Sequence, residues 1–253
     1  THERSSAASD VYKRQALVLR ESEVASVMAV NLILSPDGAH TPFAIAGMTS
    51  ATGKCHTFDK HTDGYARSEA CGASVLQTTV GEVKELVVLE GSAVRCDGKS
   101  ASLTAPNGQA QRQVISAAFA IAQVAPAALS LMEAHGTGTA LGDPMEVGSV
   151  NAVVLKHRDA RAALMTVGSM KANAGHSEPG AGFSGLLKLA IGLARGDAAP
   201  NAQLRELNPH VGSTLRGVSC AVPVQLGGLA FDARVGGVSS FGYSGTIVHA
   251  VLA

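Results

Sequence analysis

The chain has 253 residues, 46% hydrophobic and 16% charged, and its 20 basic and 20 acidic side chains cancel to a net charge of 0. A globular chain of this size buries roughly 70% of the surface its unfolded form exposes, which excludes disorder for most of it and any need for disulfide or metal staples. The balanced charge argues against a nucleic-acid partner, since phosphate contacts need a surplus of Lys and Arg on one face, and the 4% aromatic content offers little for bases to stack on.

The segment Thr1 to Gln15 is polar, mixed in charge and without an apolar h-region, so it does not read as a signal peptide. From Ala16 onward apolar runs alternate with Gly-rich turns. Val27 to Leu34 reads as a strand ended by a turn at Ser35-Pro36-Asp37-Gly38, and Ala73 to Leu76 and Leu86 to Val94 read as further strands. Pro106-Asn107-Gly108 marks a turn before a helix over Gln111 to Val124, where Val114, Ile115, Ala118, Ile121 and Ala122 recur at helical spacing. The apolar run Leu129 to Ala134 leads into His135-Gly136-Thr137-Gly138-Thr139. A second helix is expected from Asp143 as N-cap and Pro144 at its first position to about His157.

Leu164 to Ser169 is expected as a strand, Gly182 to Ala194 as a buried helix, and Val218 to Val224, Arg234 to Val238 and Thr246 to Leu252 as strands. Strands alternating with helices predict a layered α/β fold around a largely buried sheet. No stretch reaches the ~18 apolar residues of a membrane span; the best candidate, Phe183 to Ala194, carries Lys188.

Three motif readings fail on spacing or residue type. Gly47 to Lys54 has five residues between its glycines where a phosphate-binding loop needs four, and Cys55 follows the Lys in place of Ser or Thr. Gly136, Gly138 and Gly142 miss G-x-G-x-x-G by one residue. Gly175-His176-Ser177-Glu178-Pro179 puts proline where a nucleophile elbow needs its second glycine. Cys55, Cys71, Cys96 and Cys220 show neither zinc-ligand nor disulfide spacing, which points to thiols in a reducing compartment, cytoplasmic or organellar, and not to a secreted protein.

The stronger signal is a pair of Gly-flanked histidines, His135 and His176, with Lys171 five residues before the second. Both are expected at strand ends, where α/β folds place ligands, and could donate hydrogen bonds to a developing oxyanion. Taken singly, each histidine is more often a surface or a satisfied core residue.

Taken with their neighbours they carry a resemblance. E-A-H-G-T-G-T-A-L-G-D-P-M-E at 133–146 and K-A-N-A-G-H-S-E-P-G-A-G at 171–182 resemble the first- and second-histidine motifs of the β-ketoacyl synthases, the condensing domains of fatty-acid and modular polyketide synthases. D-K-H-T-D-G-Y-A-R-S-E-A-C-G at 59–72, L-T-A-P-N-G at 103–108 and V-S-S-F-G-Y-S-G-T at 238–246 follow the family's order.

The resemblance implies a thiolase-like α/β fold of αβαβα layers, here truncated. Residues 1–15 would be unmatched and non-native, 16–80 the tail of the N-terminal half, and 81–253 a complete C-terminal βαβαβ half. It implies decarboxylative condensation of an acyl thioester with a malonyl unit on acyl carrier protein. It implies no bound cofactor, with phosphopantetheine delivered on the carrier protein, and a homodimer for the full-length domain.

His135 and His176 would be neutral N–H donors to the malonyl thioester oxygen, not metal ligands. Lys171 would organise the second loop, paired with Glu146, with Asn173 in support. Thr137 and Thr139 would hydrogen-bond the pantetheine arm, Phe241 would gate the acyl pocket, and Gly242 and Gly245 would approach the thioester and help form its oxyanion site.

The family's nucleophile is a cysteine in a motif like D-T-A-C-S-S, and no such motif occurs in this sequence. Ser68, Ala70, Ala174, Ser244 and Ile247 are smaller departures. The expectation is therefore a partial ketosynthase without its nucleophile. The alternatives are a degenerate ketosynthase that decarboxylates malonyl groups or binds carrier protein and, with less support, a thiolase.

Overall fold

One mixed sheet with a helical layer on each face organises the chain, in a computed structural model that describes residues 24–33, 36–77, 86–98, 105–159, 162–229 and 234–253. The expected segment Thr1 to Gln15, the strand end at Leu34 and the start of the Leu103 motif lie outside the described residues.

The strands are β1 (Val24–Asn31), β2 (Ala70–Gln77), β3 (Leu89–Cys96), β4 (Leu129–Glu133), β5 (Met165–Gly168), β6 (Asp197–Ala198), β7 (Cys220–Ala221), β8 (Gly227–Gly228), β9 (Val235–Phe241) and β10 (Thr246–Leu252). The helices are α1 (Pro36–Ile45), α2 (Gly108–Ala122), α3 (Gly142–Val153), α4 (Lys171–Ala174), α5 (Ala181–Arg195) and α6 (Pro209–Thr214). The central sheet runs β3-β10-β9-β4-β5-β7, parallel from β9 through β4 and β5 to β7 and antiparallel at β10 and β3.

Strand periodicity divides the core in two. On β10, Ile247 and Val251 face the α2 and α3 side with Val114, Ile115, Phe119 and Val150, whereas Val248, Ala250 and Leu252 face α5 with Leu186, Leu189 and Leu193. Helix α5 is buried on more than one side. Leu189 and Leu193 pack where β9 carries Gly236, and Phe183 packs where β2 carries Gly72; a Cβ at either glycine would lie 2.7 Å from these side chains. Each fully buried Leu or Phe contributes roughly 1.5–3 kcal/mol.

Beyond α5 lies the antiparallel pair β1–β2, so the layers read α, β, α, β. The outer face of that pair exposes Val24, Met28, Val30 and Val75. Among the described residues no helix is long and apolar enough to cross a membrane.

Local chemistry explains where elements depart from expectation. Pro36 to Gly38 open α1 instead of a turn, since proline is tolerated in a helix's first turn. Asn107 caps α2 through Gln109 and Ala110 N–H, and the helix ends at Gln123 in the left-handed conformation. Helix α3 starts at Gly142 with Leu141 as its cap, because the Asp143 carboxylate is drawn to two loops outside the helix. It ends at Val153 and tightens into a 3₁₀ turn at Leu155–His157. Of Val218 to Val224 only Cys220–Ala221 pairs, in parallel with β5.

Candidate active site

The loops leaving β4, β5 and β9 meet above the ends of those strands. Having no ladder partners there, their backbone N–H groups need other acceptors. Buried carboxylates supply them.

Glu146 on α3 accepts from His135 N–H through Oε1 at 2.7 Å and from Gly136 N–H through Oε2 at 2.8 Å. Asp143, one turn earlier, accepts from Gly138 N–H at 3.1 Å and Phe58 N–H at 2.8 Å. Burial pushes Asp143 up to about 6 and Glu146 up to about 7 against the pull of those donors. Gly136 sits at φ +45, and a Cβ there would lie 2.6 Å from Cβ of Ser169. That conformation and that proximity both require glycine.

After β5, Asn201 Oδ1 accepts from Ser169 N–H, and Glu133 accepts from Met170 N–H while its Oε2 takes Lys188 Nζ at 2.6 Å. Helix α4 then ends at Gly175, at φ +78, and delivers His176. The backbone N–H of His176 donates to Ala66 O at 2.7 Å, and its carbonyl accepts from Ser68 N–H at 3.0 Å.

His135 and His176 stand with ring centroids 5.8 Å apart and planes at 89°. His135 Nδ1 accepts from Phe241 N–H at 3.2 Å, and His176 Nδ1 accepts from Glu178 N–H at 2.9 Å. A backbone N–H can only donate, so both Nδ1 atoms carry lone pairs and both Nε2 atoms carry the proton. Burial first, and then the Lys171 charge, hold both imidazoles well below the ordinary histidine value, so they are neutral near pH 7. The site presents two neutral imidazole N–H donors of fixed tautomer.

Lys171 is buried, and desolvation lowers its pKa against the charges of Glu133, Glu146, Cys55 and Asp143. The expected Lys171–Glu146 ion pair is not formed. Glu146 spends both oxygens on backbone N–H groups, and the two residues interact only at longer range. Asn173 is exposed and accepts from Ala202 N–H at 3.0 Å, and among the described residues it makes no hydrogen bond to either imidazole.

The Thr137 and Thr139 hydroxyls lie 3.3 Å apart, and Thr139 Oγ1 accepts from Gly142 N–H. The Phe241 ring lies 5.5 Å from the His135 ring. Gly242 and Gly245 close the turn between β9 and β10, their N–H groups donating to Thr246 O and Gly242 O, so neither is free to serve an oxyanion.

Several residues here hold positions that the histidine motifs do not assign. Tyr65 packs edge-on against His176 at 5.0 Å. Arg67 grips Glu178, and Lys188 pairs with Glu133. The D-G-Y-A-R motif holds the signal for the first two, since Tyr65 and Arg67 are its last aromatic and cationic residues.

The chain is similar in sequence and in fold to known proteins. Residues 4–80 match the beta-ketoacyl synthase N-terminal domain, and residues 86–205 match the beta-ketoacyl synthase C-terminal domain. A phenolphthiocerol/phthiocerol polyketide synthase of Mycobacterium tuberculosis is 37% identical over 244 residues, covering 94% of this chain and 13% of that protein. The Cluster 41 polyketide synthase of Aspergillus flavus is also 37% identical, over 94% of this chain and 21% of its own length.

Among solved structures, the ketosynthase from module 6 of the bacillaene synthase of Bacillus subtilis 168 superimposes with a TM-score of 0.87 at 29% identity, covering 98% of this chain and 45% of that one. An oxazolomycin ketosynthase domain of Streptomyces albus JA3453 gives the same TM-score and identity. The chain thus spans 13% of the first of these curated relatives and under half of the solved ketosynthases. The layering is that of the thiolase-like ketosynthase fold.

Proposed function

Because this chain belongs to the β-ketoacyl synthase family, an acyltransferase-type family of condensing enzymes, we propose that its two histidines drive the decarboxylation half of a polyketide-type condensation. The substrate is a malonyl thioester on the phosphopantetheine arm of an acyl carrier protein. The bond between its carboxylate and α-carbon breaks, carbon dioxide departs, and the electron pair left behind spreads onto the thioester oxygen as an enolate. The His135 and His176 Nε2–H groups donate to that oxygen as its charge grows. Donors preset in a desolvated site need no reorganisation at that moment, and removing one such donor costs about 3–4 kcal/mol of barrier.

The single observation that carries this reading is the pair of neutral imidazoles, 5.8 Å apart, each with Nδ1 occupied by a backbone N–H. An imidazolium would donate as well, but it would cost burial of a charge beside Lys171. The long-range charge of Lys171 favours the anionic enolate. Thr137 and Thr139 offer hydroxyls to the pantetheine arm, and Phe241 borders the acyl side.

Joining the enolate to an acyl group requires an acyl-cysteine. Burial pushes the Cys55 thiol up and the Cys220 thiol up to about 12, while Cys71 and Cys96 lie within strands β2 and β3. None of the four sits at a helix N-terminus, where the dipole would favour a thiolate. The residues present therefore support the decarboxylation step, with the acyl-cysteine supplied by none of them.

The test is carbon dioxide release from malonyl-pantetheine by the 253-residue chain. His135→Ala and His176→Ala should each lower the rate about 100-fold or more with the fold retained by circular dichroism. A parental rate in either variant overturns the assignment.

A further inference from the structure

The proton of the His176 ring is set by a residue outside the histidine pair. The bridge between residues 66–68 and His176 fixes the histidine's backbone, and Tyr65 borders its ring, but neither decides which ring nitrogen is protonated. That choice belongs to the Glu178 N–H, which occupies Nδ1 at 2.9 Å. To reach it, Glu178 adopts φ +40, in the left-handed region that residues bearing a Cβ enter at a cost. Something must hold it there.

Its own side chain is the handle. Glu178 Oε1 accepts from Arg67 Nε at 2.5 Å, and Oε2 accepts from the second guanidinium nitrogen at 3.1 Å, a two-point grip that fixes orientation as well as distance. The pair is sheltered, with side-chain exposures of 9% and 22%, and the guanidinium lies 5.9 Å from the Phe43 ring centroid on α1. Arg67 flanks the same bridge that pins the His176 backbone, so both ends of the loop are referred to one short segment.

The geometry points to Arg67 and Glu178 as a positioning pair that holds the Glu178 N–H on His176 Nδ1 and thereby keeps the imidazole proton on Nε2. The pair acts through His176. Its importance for turnover rests on the reading of His176 as an N–H donor, but the tautomer claim holds with no substrate present.

The experiment uses the full chain with ¹⁵N-labelled histidine, the His176 signals being identified by their loss in His176→Gln. In the parent, Nδ1 should read as unprotonated and Nε2 as protonated at neutral pH. Arg67→Met should release Glu178 and let the ring populate both tautomers. Turnover of malonyl-pantetheine should fall with the Nε2–H population, about tenfold or more in kcat, with KM little changed. The charge swap Arg67→Glu with Glu178→Arg should restore the single tautomer. Arg67→Met with Glu178→Gly, where the left-handed backbone is free of cost, should restore it in part.

If Arg67→Met does not fold, Glu178→Gln keeps shape and N–H, loses the charge, and carries the same expectation. A single Nε2–H tautomer in folded Arg67→Met or folded Glu178→Gln, where residue 178 keeps its Cβ, overturns the proposal. A shifted tautomer with unchanged turnover upholds the pair and instead overturns His176 as the donor.

Discussion

His249 gives the sharpest handle on stability. It lies on β10 with no exposed surface, its Nδ1 3.0 Å from Ser239 Oγ, its ring 5.7 Å from Phe119, and its Nε2 buried without a partner among the described residues. Burial drives its pKa down to about 3, from an ordinary 6.5. The folded chain therefore keeps this ring neutral while the unfolded chain protonates below pH 6.5. The unfolded state binds the extra proton, so stability is complete above pH 6.5 and is lost as pH falls toward 3. At about 1.36 kcal/mol per pH unit, the loss reaches about 2 kcal/mol at pH 5 and at most about 5 kcal/mol near pH 3.

Other groups titrate in the same range, Asp143, Glu146 and the two site histidines among them. The measurement is therefore a difference: urea unfolding of the parent and of His249→Gln between pH 7.5 and 5. The parent should lose about 2 kcal/mol more than the variant over that interval. A difference independent of pH would refute the argument, because it would mean the ring titrates alike in both states.

Two further outcomes follow from the carboxylate network. Glu146→Gln exchanges one acceptor for an amide donor facing an N–H group, so it should lower stability by about 2–4 kcal/mol and Tm by roughly 5–15 °C in thermal unfolding; a Tm within a degree of the parent would contradict it. Lys188→Met should cost about 3–5 kcal/mol by stranding Glu133, whose side chain is 5% exposed, whereas Lys188→Met with Glu133→Gln should cost less than the single change. A double-mutant cycle in which the costs simply add would show that the pair is not coupled.

What could be read from the sequence follows the reach of the chemistry involved. The apolar run before His135 is a strand buried along its whole length, and the apolar stretch from Gly182 is a helix buried between the central sheet and the β1–β2 pair, because burial on two faces leaves a continuous apolar signature. Pro106-Asn107-Gly108 reads as a turn before a helix from Gln111, whereas α2 begins at Gly108 because the Asn107 side chain bonds N–H groups two and three residues on.

Longer-range partners leave no such trace. Asp143 has the composition of an N-cap but answers Phe58, 85 residues away. Arg67 and Glu178 are separated by 111 residues, and nothing local couples them. Glu146 and Lys171 have opposite charges in neighbouring motifs, which invites pairing. The backbone of the His135 loop takes the carboxylate first, since two buried N–H groups without acceptors would cost more than a lysine left with diffuse compensation.

That last competition bears on how one buried region holds two histidines neutral beside Lys171. Glu133, Glu146 and Asp143 are fixed by the N–H groups they satisfy, so their positions are dictated by loop geometry and not by attraction to Lys171. Their summed field still raises the lysine's affinity for its proton against desolvation. The lysine charge in turn repels protons from His135 and His176, adding to what burial already imposes. Were Lys171 locked in a tight pair with Glu146, its field at the imidazoles would be largely cancelled, and His135 N–H and Gly136 N–H would lose their acceptor. The loose arrangement thus serves both ends: carboxylates shape the loops at contact distance, and the cation they leave unpaired acts on the rings through space.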